Sequence, residues 1–185
     1  QPGEAIFVHE GHIQKRWNWY QLPVFREKTK RFNKNHAISE TAEHLRRSVH
    51  QQMVSDVPLG AFLSGGLDSS AVVAFARELN PDIRCFTINT LMQKDGMPED
   101  LPYARKVAQH LDVPLDIVQV DPEHMINDVE KMVFQLDEPL ADPAALNVLY
   151  ISRLARQNGI KVLLSGTGGD DLFTGYRRHF ALHYE

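Results

Sequence analysis

The sequence predicts an α/β fold in which helices flank a doubly wound parallel sheet. From residue 38 onward, short apolar runs typical of buried strands alternate with longer segments of helical periodicity. Such alternation joins parallel strands through right-handed crossovers. Two glycine-rich turns, at 64–70 and 165–171, each follow an apolar run. That position is expected of ligand-binding turns at the carboxyl ends of parallel strands.

The composition is that of a folded domain. The 185 residues have a hydrophobic content of 43%, which allows a buried core and argues against disorder. The formal net charge of −4 disfavours broad nucleic-acid binding, and no apolar run is long enough to cross a membrane. The only cysteine, Cys85, excludes an internal disulfide, favours a cytoplasmic location and is expected to be a small buried side chain. We expect a longer parent protein, because the sequence starts at Gln1 and ends within a helical pattern.

The amino-terminal residues 1–25 differ from the rest of the sequence. Two short apolar runs flank Glu10 and Gly11, which predicts a hairpin, and an aromatic cluster of Trp17, Trp19 and Tyr20 follows. Residues 26–36 are charged and aperiodic, which indicates a linker. The sequence therefore predicts three segments: 1–25, a linker at 26–36, and an α/β domain at 37–185.

Within the α/β domain, the first helix is predicted from 38 to about 55, with Ser39 as its N-cap. In a sheet whose strand order is 3-2-1-4, the first and fourth strands are neighbours at the point where the order reverses, so both glycine-rich turns would face one crevice. The elements that follow the first helix are a strand at 58–64, a helix at 69–79, a strand at 84–90, a helix at 101–111, a strand at 115–120, helices at 123–136 and 143–157, a strand at 161–165 and a helix from 170.

The first turn, "SGGLDSS" at 64–70, has the composition of an anion site. Gly65 and Gly66 are predicted to adopt backbone conformations closed to other residues and to let a ligand approach the amides. Ser69 and Ser70 open a helix, whose free N–H groups and dipole favour an anion. Asp68 would repel a phosphate unless a cation lay between them, and Mg²⁺ suits that position.

The second turn, "SGTGGDD" at 165–171, repeats this arrangement. Gly166, Gly168 and Gly169 are predicted to allow close approach, and Asp170 is the second expected Mg²⁺ ligand. Neither turn contains the lysine of a Walker A loop or the spacing of a dinucleotide-binding loop.

The two motifs carry a family resemblance. "SGGLDSS" resembles the pyrophosphate-binding loop of ATP pyrophosphatases. "KVLLSGTGGDDLFTGYRRH" at 161–179, with "DEPLADPAALNVLYISRLARQNG" before it, resembles the synthetase domain of glutamine-dependent asparagine synthetases and of their β-lactam synthetase relatives. The resemblance runs from about residue 38 to the end, and residues 1–25 resemble the last strands of that family's glutaminase domain. It implies a sheet of the adenine nucleotide α-hydrolase-like (HUP) type and a synthetase domain that ends beyond residue 185.

The resemblance also implies a reaction. A substrate carboxylate, from aspartate or an analogue, attacks the α-phosphorus of ATP, and ammonia from a glutaminase domain of the parent chain then displaces AMP. It implies a cytoplasmic enzyme, leaves a homodimer open, and gives no nucleic-acid or membrane partner. The residues it places at ATP are Phe62, Ser64, Gly65, Gly66, Asp68, Ser69, Ser70, Ile88, Ser165 and Gly166, with Asp68 and Asp170 at Mg²⁺.

One position departs from the family pattern. Asparagine-forming members have glutamate in the second turn, where this sequence has Thr167, so the acceptor and the catalytic residues stay open. The family's catalytic lysine would follow residue 185, so we expect this chain to bind nucleotide without turnover. Two alternatives are another enzyme of the ATP-pyrophosphatase-loop group and a nucleotide-binding module without catalysis.

Overall fold

Two structural units divide the chain, Gln1–Ser39 and Glu40–Glu185. The computed structural model describes residues 1–21, 33–90, 100–138, 140, 142 and 144–181. In the smaller unit, β1 (Glu4–His9) and β2 (His12–Asn18) form an antiparallel hairpin, which confirms the predicted one. Its turn residues Glu10 and Gly11 have φ 51° and 75°, the sign that a tight two-residue hairpin turn requires at both positions.

The rest of the chain alternates helices and strands, as its pattern predicts. None of the described helices is long and apolar enough to span a bilayer. The elements are α1 (Lys34–Gln52), β3 (Leu59–Phe62), α2 (Leu67–Arg77), β4 (Arg84–Thr90), α3 (Asp100–Leu111), β5 (Leu115–Val120), α4 (Pro122–Gln135), α5 (Ala144–Gln157), β6 (Val162–Leu164), α6 (Gly169–Phe173) and α7 (Arg177–Ala181).

The described residues of the larger unit build a four-stranded parallel sheet in the order β5-β4-β3-β6. This is the predicted order 3-2-1-4, which is confirmed. Ala61 of β3 pairs with Cys85 of β4 on one side and with Leu164 of β6 on the other. The chain therefore moves outward from β3 through β5 and returns beside β3, so the order reverses between β3 and β6.

Helices cover both faces of this sheet, and successive side chains of β4 are buried against one face and then the other. Cys85 and Phe86 are adjacent and both 0% exposed. Cys85 shares a core cluster with Val73 of α2 and Ala104 of α3, whereas Phe86 packs with Ile151 of α5. The buried cysteine that the sequence predicts is confirmed, and burial, followed by the negative charge of Asp116, raises the pKa of its thiol to about 12.

The first helix begins earlier than the sequence pattern indicates. α1 starts at Lys34, so Ser39 lies inside it and the predicted N-cap is wrong. Asn33 takes that place: its side-chain oxygen accepts from the amide of His36 at 3.2 Å, and its carbonyl accepts from the amide of Ala37 at 3.0 Å. Asn33, six positions upstream of Ser39, has the same capping chemistry, so the helix begins after it.

The helix predicted from residue 170 is divided into two short helices. Thr174 adopts φ 58° in the left-handed region and ends α6, and the amide of Gly175 donates to the carbonyl of Asp170 at 3.0 Å. α7 then begins at Arg177. The hydrogen bond from Gly175 to Asp170 thus keeps the end of α6 close to the turn that carries Asp170.

The first glycine-rich turn packs against the start of α3. Gly65 has φ +83°, and a Cβ there would overlap the backbone of Tyr103 and Ala104. Gly66 is different: its φ −68° and ψ 164° are open to any residue, and a Cβ would meet nothing closer than the Ser64 Oγ at 3.4 Å. The prediction of a glycine-only conformation therefore holds at Gly65 and is wrong at Gly66.

These two neighbours give a matched pair of variants. Gly65→Ala should lower the free energy of unfolding by about 1–3 kcal/mol, because alanine meets both an unfavourable φ and the backbone of α3. Gly66→Ala should change it by less than about 0.5 kcal/mol. Urea unfolding of the two variants measures both effects, and equal stability would contradict the assigned geometry of the turn.

A nearly buried carboxylate joins α4 to α5. The side chain of Asp128 is 14% exposed and accepts from Lys131 Nζ at 2.8 Å, from the Tyr150 hydroxyl at 2.9 Å and from Arg153 Nη1 at 3.2 Å. These groups, with the hydrogen bond from Lys131 first, lower the pKa of Asp128 to about 2.

The depressed pKa makes this helix pair sensitive to acid. In the unfolded chain the Asp128 pKa is about 3.9, so its contribution to stability is complete well above that value and is lost as the pH falls toward 2. Asp128→Asn should therefore lower the Tm at pH 7, and the difference from the unaltered protein should shrink as the pH is lowered to 3. Glu130→Gln, at an exposed position of the same helix, is the control. A difference in Tm that does not change with pH would refute this assignment.

Candidate functional site

A cavity of about 470 Å³ lies at the carboxyl ends of β3 and β6, where the chain order of the strands reverses. Both glycine-rich turns contribute to its wall. The first turn supplies Ser64, Gly66, Leu67, Asp68 and Ser69; the second supplies Ser165, Gly166, Thr167, Gly169 and Asp170.

The hydroxyls of the first turn hold its backbone in place. The Ser69 and Ser70 hydroxyls donate to the carbonyl of Gly66 at 3.3 and 2.6 Å, and Ser64 Oγ lies 3.0 Å from Ser69 Oγ. Ser64 Oγ also accepts from the Gly66 amide at 3.3 Å. These hydroxyl protons all have acceptors within the turn, so the backbone amides of the turn are the donors left for a ligand.

The amino end of α2 opens into this turn. Gly66 occupies the cap position without a side-chain hydrogen bond to the helix, and the first turns of a helix leave their N–H groups without intrahelical acceptors. Ser70 is the first residue whose amide bonds back to Gly66, at 3.0 Å. Together with the helix dipole, these amides make the floor of the cavity favourable for an anion.

The second turn lies directly against that amino end. A Cβ on Gly166 would stand 2.7 Å from the Ser69 amide nitrogen and 2.8 Å from the Asp68 carbonyl carbon. A Cβ on Gly169 would overlap the Asp68 carboxylate. Glycine is required at 166, where a Cβ would meet main-chain atoms, whereas a Cβ at 169 would displace the Asp68 carboxylate. The two approaches bring Asp68 and Asp170 to one cavity.

Gly168 has another role than the predicted close approach. Its φ is +94°, it caps α6, and a Cβ there would have open space around it. The positive φ of Gly168 shapes the turn, whereas Gly166 and Gly169 make the close contacts with the start of α2. In the same turn, Ser165 Oγ and Thr167 Oγ1 are 2.6 Å apart, and the Thr167 amide donates to Ser165 Oγ at 3.1 Å.

The other residues predicted at the nucleotide are divided between the cavity and the core. Phe62 ends β3 and lines the cavity. Ile88 does not: it lies two residues before the end of β4 and packs beside the core cluster of Phe86, so its predicted position at a strand end is wrong. Among the described residues, Gly65 and Ser70 also stay outside the wall, since they contact α3 and the Gly66 carbonyl.

The wall includes apolar residues that the sequence reasoning did not select. Leu67 is 85% exposed and Phe173 is 60% exposed, and both line the cavity with Gly175. Their exposure is a property of the fold, so the sequence carries no local signal for either residue. A Cβ on Gly175 would overlap the Asp170 carboxylate, so this glycine lets the chain pass close to that side chain.

The donors at the cavity fit a hard divalent cation. Asp68 and Asp170 are the carboxylates of its described wall, and the described residues contain no group of three or more His, Cys, Asp or Glu side chains suited to a metal. Mg²⁺ is commonly held by one or two carboxylates together with phosphate oxygens. The glycines beside each carboxylate leave room that a side chain would fill.

Sequence comparison relates the chain to known enzymes. The Asparagine synthase family model matches residues 40–185. The chain is 37% identical over 139 residues to asparagine synthetase [glutamine-hydrolyzing] 1 of Bacillus subtilis, a match that covers 75% of this chain and 21% of that protein. It is 31% identical over 174 residues to putative asparagine synthetase [glutamine-hydrolyzing] 2 of Methanocaldococcus jannaschii, which covers 94% of this chain and 33% of that protein. The chain thus spans a fifth to a third of the length of these relatives.

Structural comparison agrees with the sheet topology. The U34-tRNA thiolase NcsA from Methanococcus maripaludis superposes with a TM-score of 0.53 at 17% identity, over 82% of this chain and 55% of that one. A likeness at this identity shows a shared fold, and it confirms the predicted class of doubly wound sheet. Because the family model covers the whole larger unit of the structure, this chain belongs to the asparagine synthase family.

Proposed function

We propose that this chain is the ATP-using synthetase part of a glutamine-dependent amidotransferase, which activates a carboxylate by adenylation and converts it to an amide. The observation that carries this proposal is the joint cavity of the two glycine-rich turns, with the amino end of α2 and the carboxylates of Asp68 and Asp170 in one wall. Membership of the asparagine synthase family supports it.

The first turn is the part suited to the leaving diphosphate. Its amides lie at the start of α2 in the cavity wall, while the hydroxyls of Ser64, Ser69 and Ser70 fix the backbone that carries them. Donors held in place before the ligand arrives stabilise developing negative charge without reorganisation. We assign the β- and γ-phosphates to this turn, and the α-phosphate to the space between it and Ser165 and Gly166.

Asp68 and Asp170 would hold Mg²⁺, whose charge offsets that of the diphosphate group. Without a cation, two carboxylates beside a triphosphate would repel it. The close contact of Gly169 with the Asp68 carboxylate keeps that carboxylate at the wall between the two turns.

The proposed reaction has two displacements. An oxygen of the acceptor carboxylate bonds to the α-phosphorus as the bond to the bridging oxygen of pyrophosphate breaks. Ammonia then bonds to the acyl carbon, AMP leaves with the bonding pair, and the nitrogen loses a proton. The contribution of this chain is alignment of the reactants and neutralisation of charge.

The remaining parts of the proposal concern the protein around this chain. We assign residues 1–25 to the end of a glutaminase domain that supplies ammonia, 26–36 to a linker whose last three residues begin α1, and 37–185 to the synthetase domain. The acceptor is a small carboxylate in the cytoplasm, of the aspartate class or an analogue of it.

Removing one carboxylate tests the metal assignment. Asp68→Asn should weaken ATP binding in the presence of Mg²⁺ by about tenfold or more, because a charged contact is lost. In EDTA the same variant should bind ATP at least as well as the unaltered chain, since one repulsive charge is gone. Isothermal titration calorimetry with Mg²⁺ and in EDTA measures the ATP affinity under both conditions.

Asp82→Asn is the matched control, because Asp82 is exposed in the turn before β4, at the amino ends of the strands and so opposite the cavity. It should leave both affinities unchanged. An Asp68→Asn variant that binds Mg·ATP as tightly as this control would count against the assigned metal ligand.

Turnover is a separate prediction. The 185-residue chain should bind Mg·ATP but should not exchange labelled pyrophosphate into ATP with aspartate or other carboxylates, because we propose that the catalytic lysine follows residue 185. Exchange above the enzyme-free background, or release of an amide when an ammonium salt is supplied, would show that this chain is catalytic by itself.

A nucleotide-binding module without chemistry is the second candidate. Thr167 favours it, since this position at the cavity carries a hydroxyl in place of the glutamate of asparagine-forming relatives. The same pyrophosphate exchange, measured on a longer protein that contains this chain, separates the two candidates.

A further inference from the structure

Thr167 and Ser165 form a short hydrogen bond in the wall of the cavity. Their hydroxyl oxygens are 2.6 Å apart, and both residues are exposed to the cavity that they line. The Thr167 amide adds a second hydrogen bond, since it donates to Ser165 Oγ at 3.1 Å. The pair is therefore held in one arrangement by two hydrogen bonds within three residues.

Counting hydroxyl protons distinguishes this pair from the first turn. There, the protons of Ser69 and Ser70 go to the Gly66 carbonyl, and the Ser64 proton has Ser69 Oγ as its acceptor at 3.0 Å. The pair has two hydroxyl protons but only one bond between its oxygens. Whichever residue donates in that bond, the other hydroxyl proton has no acceptor among the described residues.

We propose that Thr167 is a positioning residue, which together with Ser165 directs one hydroxyl proton into the cavity as a hydrogen-bond donor to a phosphoryl oxygen of the bound nucleotide. This inference rests on the function proposed above. The residue between the pair, Gly166, lies against the Ser69 amide and Asp68, so the donor stands beside the amides that favour an anion.

The chemistry of the wall favours a phosphoryl acceptor for this proton. The carboxylates of Asp68 and Asp170 are committed to the cation in the proposed function, and a neutral hydroxyl adds a donor without repelling that cation. A carboxylate at position 167 would bring a third negative charge to the phosphates. Threonine therefore makes this wall a phosphate-binding surface, in which the second turn acts on the nucleotide.

The test compares Thr167→Val, which keeps the shape and removes the hydroxyl, with Thr167→Ser, which keeps the hydroxyl. Thr167→Val should weaken the binding of AMP and of Mg·ATP by about fivefold, the effect of one hydrogen bond, and leave adenosine binding unchanged. Thr167→Ser should bind all three ligands as the unaltered chain does. Calorimetric titrations with adenosine, AMP and Mg·ATP supply these values.

A double-variant cycle with Ser165→Ala tests whether the two hydroxyls act together. The double variant should bind AMP no more weakly than the poorer single variant, because either change breaks the same device. Additive losses would overturn the pair as a unit, and so would a Thr167→Val variant with normal AMP affinity, an equal loss for adenosine, or a Thr167→Ser variant that behaves like Thr167→Val. If the unaltered chain binds no Mg·ATP, the proposed function itself fails. If it binds Mg·ATP but the variants give any of these contrary results, only the proposed role of Thr167 fails.

Discussion

The contact between the second glycine-rich turn and the amino end of α2 is the constraint on which the site depends. Gly166 lies so close to the backbone of Asp68 and Ser69 that a Cβ would overlap it, and Gly169 lies against the Asp68 carboxylate. The sheet makes this contact possible, because β3 and β6 are neighbours and end at nearly the same level. The strand order thus permits one close approach, and the glycine positions and the shared cavity follow from it.

The architecture could be predicted because it depends on patterns that repeat along the chain. Alternating apolar strands and amphipathic helices indicated the doubly wound sheet, and the strands at 84–90 and 115–120 have the predicted bounds. Local choices were harder. Asn33 and Ser39 have equivalent capping chemistry, and the pattern alone did not separate them. The break at Thr174 needs a left-handed conformation at a threonine, for which the sequence carries no signal.

The site was predicted in part, and the reason lies in what a motif encodes. Each turn could be recognised from its own residues, but Gly65 and Gly66 look alike in sequence, and only packing against α3 shows which of them must be glycine. Ile88 illustrates the same limit, because two more residues of β4 continue past it and leave it against the core. Leu67 and Phe173 reach the cavity through the geometry of the two turns, which no local pattern contains.

The reactivity of Cys85 can report on opening of the core around the parallel sheet. Cys85 is the chain's single thiol, it lies near the amino end of β4 with no exposed surface, and burial raises the pKa of the thiol to about 12. Thiol reagents react with the ionised form, so labelling in neutral solution requires that the packing of α2 and α3 over this side chain first open. The rate of modification at this one sulfur therefore measures how often the core opens, without any engineered probe.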